Sequence, residues 1–234
     1  MEDLDYPTAG EFSKPSDYAL KQRMGFITKV YGILSSQLLL TTVFCIIPMF
    51  SPALKQFLLS TTWLLWLCFL TGLITLLVLA CSQSVAQNVP VNYVLLAVFT
   101  VSEAYIVGSV CCYYDSAVVA QAAFLTMVVV LGLTVYACLG KDFTQMQGIM
   151  LVVLFAFVGF AVLAMVSGSE LMRLVYCLVG VVIFGIYLVI DTQLIIGGFS
   201  YELSYDDYIM AAMMLYLDII NIFLKLLELF GRSE

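Results

Sequence analysis

Three acidic residues, Glu103, Asp191 and Asp218, stand inside long apolar runs, and no basic residue lies at a similar depth to neutralise them. A carboxyl group in hydrocarbon is expensive, so an acid retained there marks an ion path, a proton relay or a ligand site. Two carboxyls in contact in a low-dielectric site cannot both ionise comfortably, and they share a proton. Such a pair is a proton-sensitive latch. Protonated, it makes a hydrogen bond that ties two helices together. Deprotonated, it repels, opens a gap and presents oxygen ligands of the kind that hard divalent cations, Ca²⁺ above all, require. Asp191 and Asp218 are therefore the candidate pH sensor and gate. Glu103 and Asn221 are candidate ion-path residues, Asn221 being i+3 from Asp218 on one helix face. Asp191, Asp218 and Glu103 together are the candidate ligands for a metal ion in transit, and a row of acids without basic partners suits a cation path.

The elements that must position these acids are membrane spans. The chain has 234 residues, of which 63% are hydrophobic and 11% charged, against about 45–50% and about 25% in a soluble domain. Apolar runs long enough to cross a bilayer fall at Val30–Phe50, Thr62–Cys81, Val91–Cys111, Ala117–Cys138, Gly148–Met165, Met172–Ile196 and Tyr208–Phe230. The connections are short, so successive helices are antiparallel neighbours in a bundle. The fold class is all-α, a polytopic membrane protein with seven transmembrane helices. Residues 1–22 are expected to be a disordered, acidic, cytosolic tail, and residues 23–234 the seven-helix domain.

Orientation follows from the basic residues. Lys14, Lys21, Arg23 and Lys29 precede the first span, which places the N-terminus in the cytosol. Lys141 falls on the same side, and Lys55, Arg173, Lys225 and Arg232 on the other. A last segment that re-entered instead of spanning would return Lys225 and Arg232 to the cytosol. The N-terminal stretch lacks the basic region and apolar core of a signal peptide and the Arg-rich bias of a presequence. Within it, Gly10–Lys29 has two readings: a short amphipathic helix at the cytosolic interface, or a plain basic flank to the first span. With the N-terminus inside, Glu103 and Asp218 lie near mid-membrane and Asp191 about five residues before the cytosolic end of its helix, so all three come within roughly one or two turns of a common level.

The sequence has no histidine, which excludes a histidine base, a histidine-ligated metal and a histidine-ligated haem. The seven cysteines sit in or at the ends of apolar runs with no C-x-x-C spacing. They read as small apolar side chains, with Cys111–Cys112 the one candidate redox pair, strained by adjacency. An intramembrane aspartyl protease would need one carboxylate base and one carboxylic acid around a water. Leu217 and Ile190 precede the two aspartates, and no proline motif follows, so the chain is not expected to be an enzyme. Lys225 is too near its helix end for a light-driven pump, and the third span lacks the arginine motif of a G-protein-coupled receptor. Lys225 is expected to snorkel. The loop acids Glu202, Asp206 and Asp207 read either as a cation-gathering mouth or as a solvated loop.

Several segments resemble the transmembrane Bax-inhibitor-motif family, its lifeguard branch in particular: RMGFITKVYGILSSQLLLT at Arg23–Thr41, SEAYIVG at Ser102–Gly108, GLTVYA at Gly132–Ala137, YLVIDTQLI at Tyr187–Ile195 and YIMAAMMLYLDIINIFLKLLELF at Tyr208–Phe230. The resemblance covers about 200 residues. It implies a seven-helix bundle whose last helix is central, wrapped by the other six. It also implies a pH-sensitive Ca²⁺ leak channel of internal membranes that suppresses stress-induced cell death. The family's paired aspartates fall on Asp191 and Asp218, and its third-span acid on Glu103. Some relatives pair the aspartates with a basic residue in the second span. Thr62–Cys81 has none, so an arginine latch is not carried over, and neither is any role for a basic C-terminal tail, since this chain ends GRSE.

The function expected from these residues is a pH-sensitive Ca²⁺ leak channel. Ca²⁺ and protons are its ligands, the bilayer is its surround, and no cofactor or nucleic acid is involved. Two alternatives stay open: a non-conducting adaptor that restrains cell death through membrane-protein partners, and a proton-coupled cation antiporter. The expected location is Golgi or endoplasmic reticulum, with plasma membrane as a further choice.

Overall fold

The computed structural model describes residues 17–231, with side chains from Ala19 onward. Among the described residues the secondary structure is helical throughout, and seven helices are long and apolar enough to cross a membrane. The spanning helices are α1 (Asp17–Phe50), α3 (Thr62–Cys81), α5 (Val91–Cys111), α6 (Ser116–Leu139), α7 (Gln147–Ser167), α8 (Glu170–Ile196) and α9 (Tyr208–Phe230). Two short helices, α2 (Pro52–Ser60) and α4 (Gln83–Ala86), fill connections expected to be loops, and a 3₁₀ turn at Thr144–Met146 leads into α7.

The first helix differs from the expectation. α1 has 34 residues, about 50 Å at 1.5 Å per residue, which exceeds a hydrocarbon core of about 30 Å. Residues 17–22 of the expected tail are helical, and 17–29 continue straight into the span as one helix. The remainder of the tail lies outside the described residues. α2 is held at its start by Ser51, whose hydroxyl receives the Leu54 amide at 3.5 Å, and by Pro52 at the first helical position. Both are ordinary helix-start devices.

α9 is the centre of the bundle. Ile209, Ala211, Ala212, Tyr216, Ile222 and Leu227 are all shut away from the surface. α9 packs chiefly against α8, α6, α1 and α5, while α3 packs outside α5 and α7 outside α8. The enclosing layer is therefore four helices with two flanking them, where the family resemblance implied six. α7, the most apolar span, is peripheral, and Trp63, Trp66, Phe124 and Phe155 project from the outer faces. Lipid solvates such side chains, whereas the more polar α9 gains by facing protein. Two glycines on α8 set the spacing. A Cβ at Gly180 would meet the Phe157 ring at 2.8 Å and the Lys225 stem at 3.0 Å, and one at Gly185 would meet Leu133 at 3.1 Å.

Candidate functional site

Asp191 on α8 and Asp218 on α9 are each 5% exposed, and their side chains are within hydrogen-bonding reach of each other. α8 and α9 form the most extensive helix–helix contact of the bundle. The pair faces into that contact because each acid sits on the stripe of its helix that carries buried neighbours: Leu188 and Ile195 on α8, and Leu215 and Ile222 on α9. Among the described residues no Lys or Arg forms an ion pair with either carboxyl. Asp218 Oδ2 is buried and receives no hydrogen bond from a fixed donor. A hydrogen bond between two carboxyls needs one of them to carry a proton.

Tyr187, four residues before Asp191, lies close enough to feel both carboxylates. Its hydroxyl, however, donates to the Met150 carbonyl oxygen on α7 at 2.7 Å, so it braces α8 against α7. Asn221 does not present its amide to a path: Nδ2 donates to the Leu217 carbonyl oxygen at 2.8 Å, within its own helix. Lys225 does not pair with Asp218. Its ammonium stands 4.0 Å from the Tyr176 ring centre and 3.8 Å from Glu228.

Glu103 stands apart from the aspartate pair. Its Oε1 would lie only 3.3 Å from a Cβ on Gly72 of α3, so the carboxylate is directed at the α3–α5 contact. Glu103 thus stands between α5 and α3, whereas the aspartates meet across the α8–α9 contact. Among the described residues no three Asp, Glu or Cys side chains come together to hold a metal ion. The sequence reading placed Asp191, Asp218 and Glu103 in one ligand set. The structure brings the first two together and leaves Glu103 out, because a common depth in the membrane does not fix a common azimuth.

A polar seam does join α1, α5 and α9. Gln37 Nε2 donates to Thr100 Oγ1 at 2.9 Å, and Thr41 Oγ1 and the Tyr216 hydroxyl share a hydrogen bond of 2.8 Å. Gln37 and Thr41 share a helix face, as their spacing indicates, and both are buried.

The largest surprise is Arg23. At 8% exposure it is buried, and its guanidinium spans the end of α8. Nε donates to Ile196 O at 3.0 Å, Nη1 to Leu203 O at 2.8 Å and Nη2 to Leu194 O at 2.7 Å. The last carbonyls of a helix lack partners within it and carry partial negative charge; Arg23 satisfies them with a rigid fork. Phe26 and Tyr205 stack against it at 5.2 and 5.6 Å, and Glu202 approaches at 3.7 Å. Gly197 makes room. Its φ of +75° suits glycine, and a Cβ there would meet the guanidinium at 2.5 Å. The arginine that matters therefore comes from α1. It grips backbone one turn beyond Asp191 and does not touch the carboxyls.

From the opposite side, Gln193 ties the same helix end down. Nε2 donates to Lys141 O at 2.8 Å and Ala137 O at 3.2 Å, and Oε1 accepts the Phe143 amide at 2.8 Å. Outside the membrane, Asp142 receives the Thr144 hydroxyl at 2.6 Å and the Ser200 amide at 2.9 Å. Hydrogen bonds from Ser200 and Thr144 hold its carboxyl below the ordinary range. Two of the loop acids are engaged as well: Glu202 with Arg23, and Asp207 with Gln87 Nε2 at 3.0 Å.

Residues 23–234 match the family described as inhibitor of apoptosis-promoting Bax1, a match that opens at the buried arginine. The chain belongs to this family. It is 37% identical over 217 residues to Protein LIFEGUARD 4 of Arabidopsis thaliana, covering 91% of this chain and 86% of that one. Against Protein lifeguard 3 of Homo sapiens it is 32% identical, covering 90% and 70%, and against that of Mus musculus 30% identical, covering 92% and 71%. The Bax-inhibitor and lifeguard proteins are membrane proteins implicated in cell-death regulation, and this chain, with its seven spans, is a multi-pass member.

Proposed function

We propose that this Bax-inhibitor family member is a pH-sensitive Ca²⁺ leak channel of internal membranes, with its N-terminus in the cytosol, contributing to calcium homeostasis and restraint of cell death. The observation that carries the reading is the Asp191–Asp218 contact: two buried carboxyls on adjacent helices that, among the described residues, form no ion pair with a Lys or Arg. With one proton shared, the pair ties α8 to α9. When the proton leaves, like charges face each other at low dielectric and the helices part. The exposed oxygens then offer a divalent cation its ligands in passage. Glu103, on α5 against α3, is a second station on the path. The Arg23 fork and Gln193 hold the end of α8 while the pair opens and closes.

The experiment is Ca²⁺ entry into liposomes holding the purified protein, measured from about pH 5.5 to 8. Flux that rises with pH supports the gate. Absence of flux at every pH transfers the cell-death role to a partner-binding adaptor. The shared proton equally suits exchange, so proton movement is recorded in the same vesicles: stoichiometric proton counterflow indicates an antiporter.

A further inference from the structure

The sequence directs attention to the adjacent Cys111 and Cys112. The structure pairs Cys111 with a different thiol: its Sγ lies 3.6 Å from Cys45 Sγ, across the α1–α5 contact. Both side chains are buried. Cys112 turns elsewhere, into a small cluster with Leu58 and Tyr105.

A second observation explains why this contact is so short. Gly108, one turn before Cys111, has Phe44 against its backbone, and a Cβ there would lie 2.7 Å from the Phe44 carbonyl oxygen. Phe44 immediately precedes Cys45. The backbones of α1 and α5 thus approach as closely as only glycine allows, beside the two thiols. A disulfide needs just such proximity, and its sulfurs sit about 2.05 Å apart. Closing from 3.6 Å takes a rotamer adjustment and a small helix shift.

We infer that Cys45 and Cys111 are a redox modification site, forming an intramembrane disulfide that locks α1 to α5 at the end of the bundle remote from Arg23. The oxidant is of the peroxide class. Cys45 lines an apolar groove of about 580 Å³ between α1, α6 and α9, which a small uncharged peroxide reaches through the bilayer. The Cys45 sulfur takes a hydroxyl as the O–O bond breaks, and its proton leaves with the other oxygen as water. The Cys111 sulfur then attacks the sulfenic sulfur. The S–S bond forms, the S–O bond breaks, and the departing hydroxide takes the Cys111 proton as a second water. Two thiols lose two electrons in all, and one peroxide becomes two waters.

The test uses the full chain in lipid nanodiscs, treated with hydrogen peroxide and then alkylated and mapped by peptide mass spectrometry. Neutral thiols react slowly, so exposure runs for hours. The expected result is a Cys45–Cys111 cross-linked peptide, two free thiols lost per chain, and reversal by dithiothreitol. Cys45→Ser and Cys111→Ser each abolish it, and Cys112→Ser retains it. An unchanged thiol count, a Cys111–Cys112 bond, or a cross-link found only between chains overturns the assignment. The wild-type peptide map decides even if a serine variant misfolds.

Discussion

The Arg23 guanidinium donates to the Leu194 carbonyl oxygen at 2.7 Å, and Leu194 lies on α8 three residues beyond Asp191. The same oxygen accepts the Leu203 amide at 3.0 Å. One contact therefore fixes the start of the first span, the end of the sixth and the loop that leads into the seventh. Arg23→Lys keeps the charge and loses the fork, which a lysine cannot reproduce. The Leu194 oxygen keeps the Leu203 amide, but the part-buried Ile196 and Leu203 oxygens lose their guanidinium donors, which costs about 3 kcal/mol, equivalent to a drop of about 6–12 °C in melting temperature for a chain of this size. Thermal unfolding in nanodiscs checks it, and Arg23→Lys melting with the wild type would show that charge alone suffices.

Asp218→Asn places an amide donor opposite Asp191 and mimics the protonated pair at every pH. The expected outcome is a latch that stays closed, with Ca²⁺ flux at high pH reduced about ten- to a hundredfold, the effect of one charge-assisted hydrogen bond on an open–closed equilibrium. The remaining flux is flat with pH. Asp191→Asn behaves alike, and the double variant adds little, since either change removes the same shared proton. Liposome flux in the three variants checks this, and a wild-type pH profile in both single variants would remove the pair from the gate.

Gly72→Leu is expected to displace the Glu103 carboxylate, because the first added carbon already comes within 3.3 Å of Oε1. If Glu103 is a station on the path, flux falls several-fold while its pH profile keeps its shape. The relevant measurement is the ratio of flux at two pH values: a changed ratio would place Glu103 in the gate instead.

Asp142 gives a pH prediction outside the membrane. Its folded carboxyl is held below the ordinary range by Ser200 and Thr144, so its stabilising effect is present above the unfolded value of about 3.9 and is lost as pH falls through the lower folded value. Asp142→Asn should therefore be less stable than the wild type at neutral pH, and the difference should narrow below about pH 4. Limited proteolysis at Lys141 across that range reports it, and a gap that widens on acidification would contradict the assignment.

Gly108→Ala forces α1 and α5 apart, since its Cβ meets backbone at 2.7 Å. A destabilisation of about 1–3 kcal/mol follows from overpacking, together with a lower yield of the Cys45–Cys111 cross-link. An alanine variant that cross-links as readily as the wild type would mean that close backbone approach is not what brings the thiols together.

The three acids are legible in the sequence because a charge within an apolar run needs no structure to be noticed. That α9 is the enclosed helix is an expectation from the family resemblance, and it agrees with Tyr216, Asp218 and Asn221 making α9 poorly suited to lipid. Arg23 escapes notice because a basic residue before a first span has a sufficient explanation in membrane orientation. Burial of its head group depends on the end of α8 and the loop that follows, more than 170 positions away, where all three of its backbone bonds run. Gly197 with Gly198 was the available signal, as paired glycines after a helix commonly accommodate something pressed against its last carbonyls. For Asn221, i+3 spacing gives a shared face with Asp218, but a half-buried amide also finds an acceptor within its own helix, as it does at the Leu217 carbonyl oxygen. The cysteines show the same limit of sequence spacing. Neighbours in sequence point about 100° apart on a helix, so Cys111 and Cys112 diverge, and the true neighbour lies 66 positions earlier.

The helix synthesised last of those described, α9, is also the one the others surround. It carries an aspartate that lipid will not accept alone, and it finds its place only once a cleft bounded by α1, α5, α6 and α8 exists to admit it. Assembly in the membrane therefore has a fixed order. A nascent chain stopped before Tyr208 displays Asp191 to an open cleft, a recognisable mark of incompleteness. Completion of the bundle and completion of the carboxyl pair are one event.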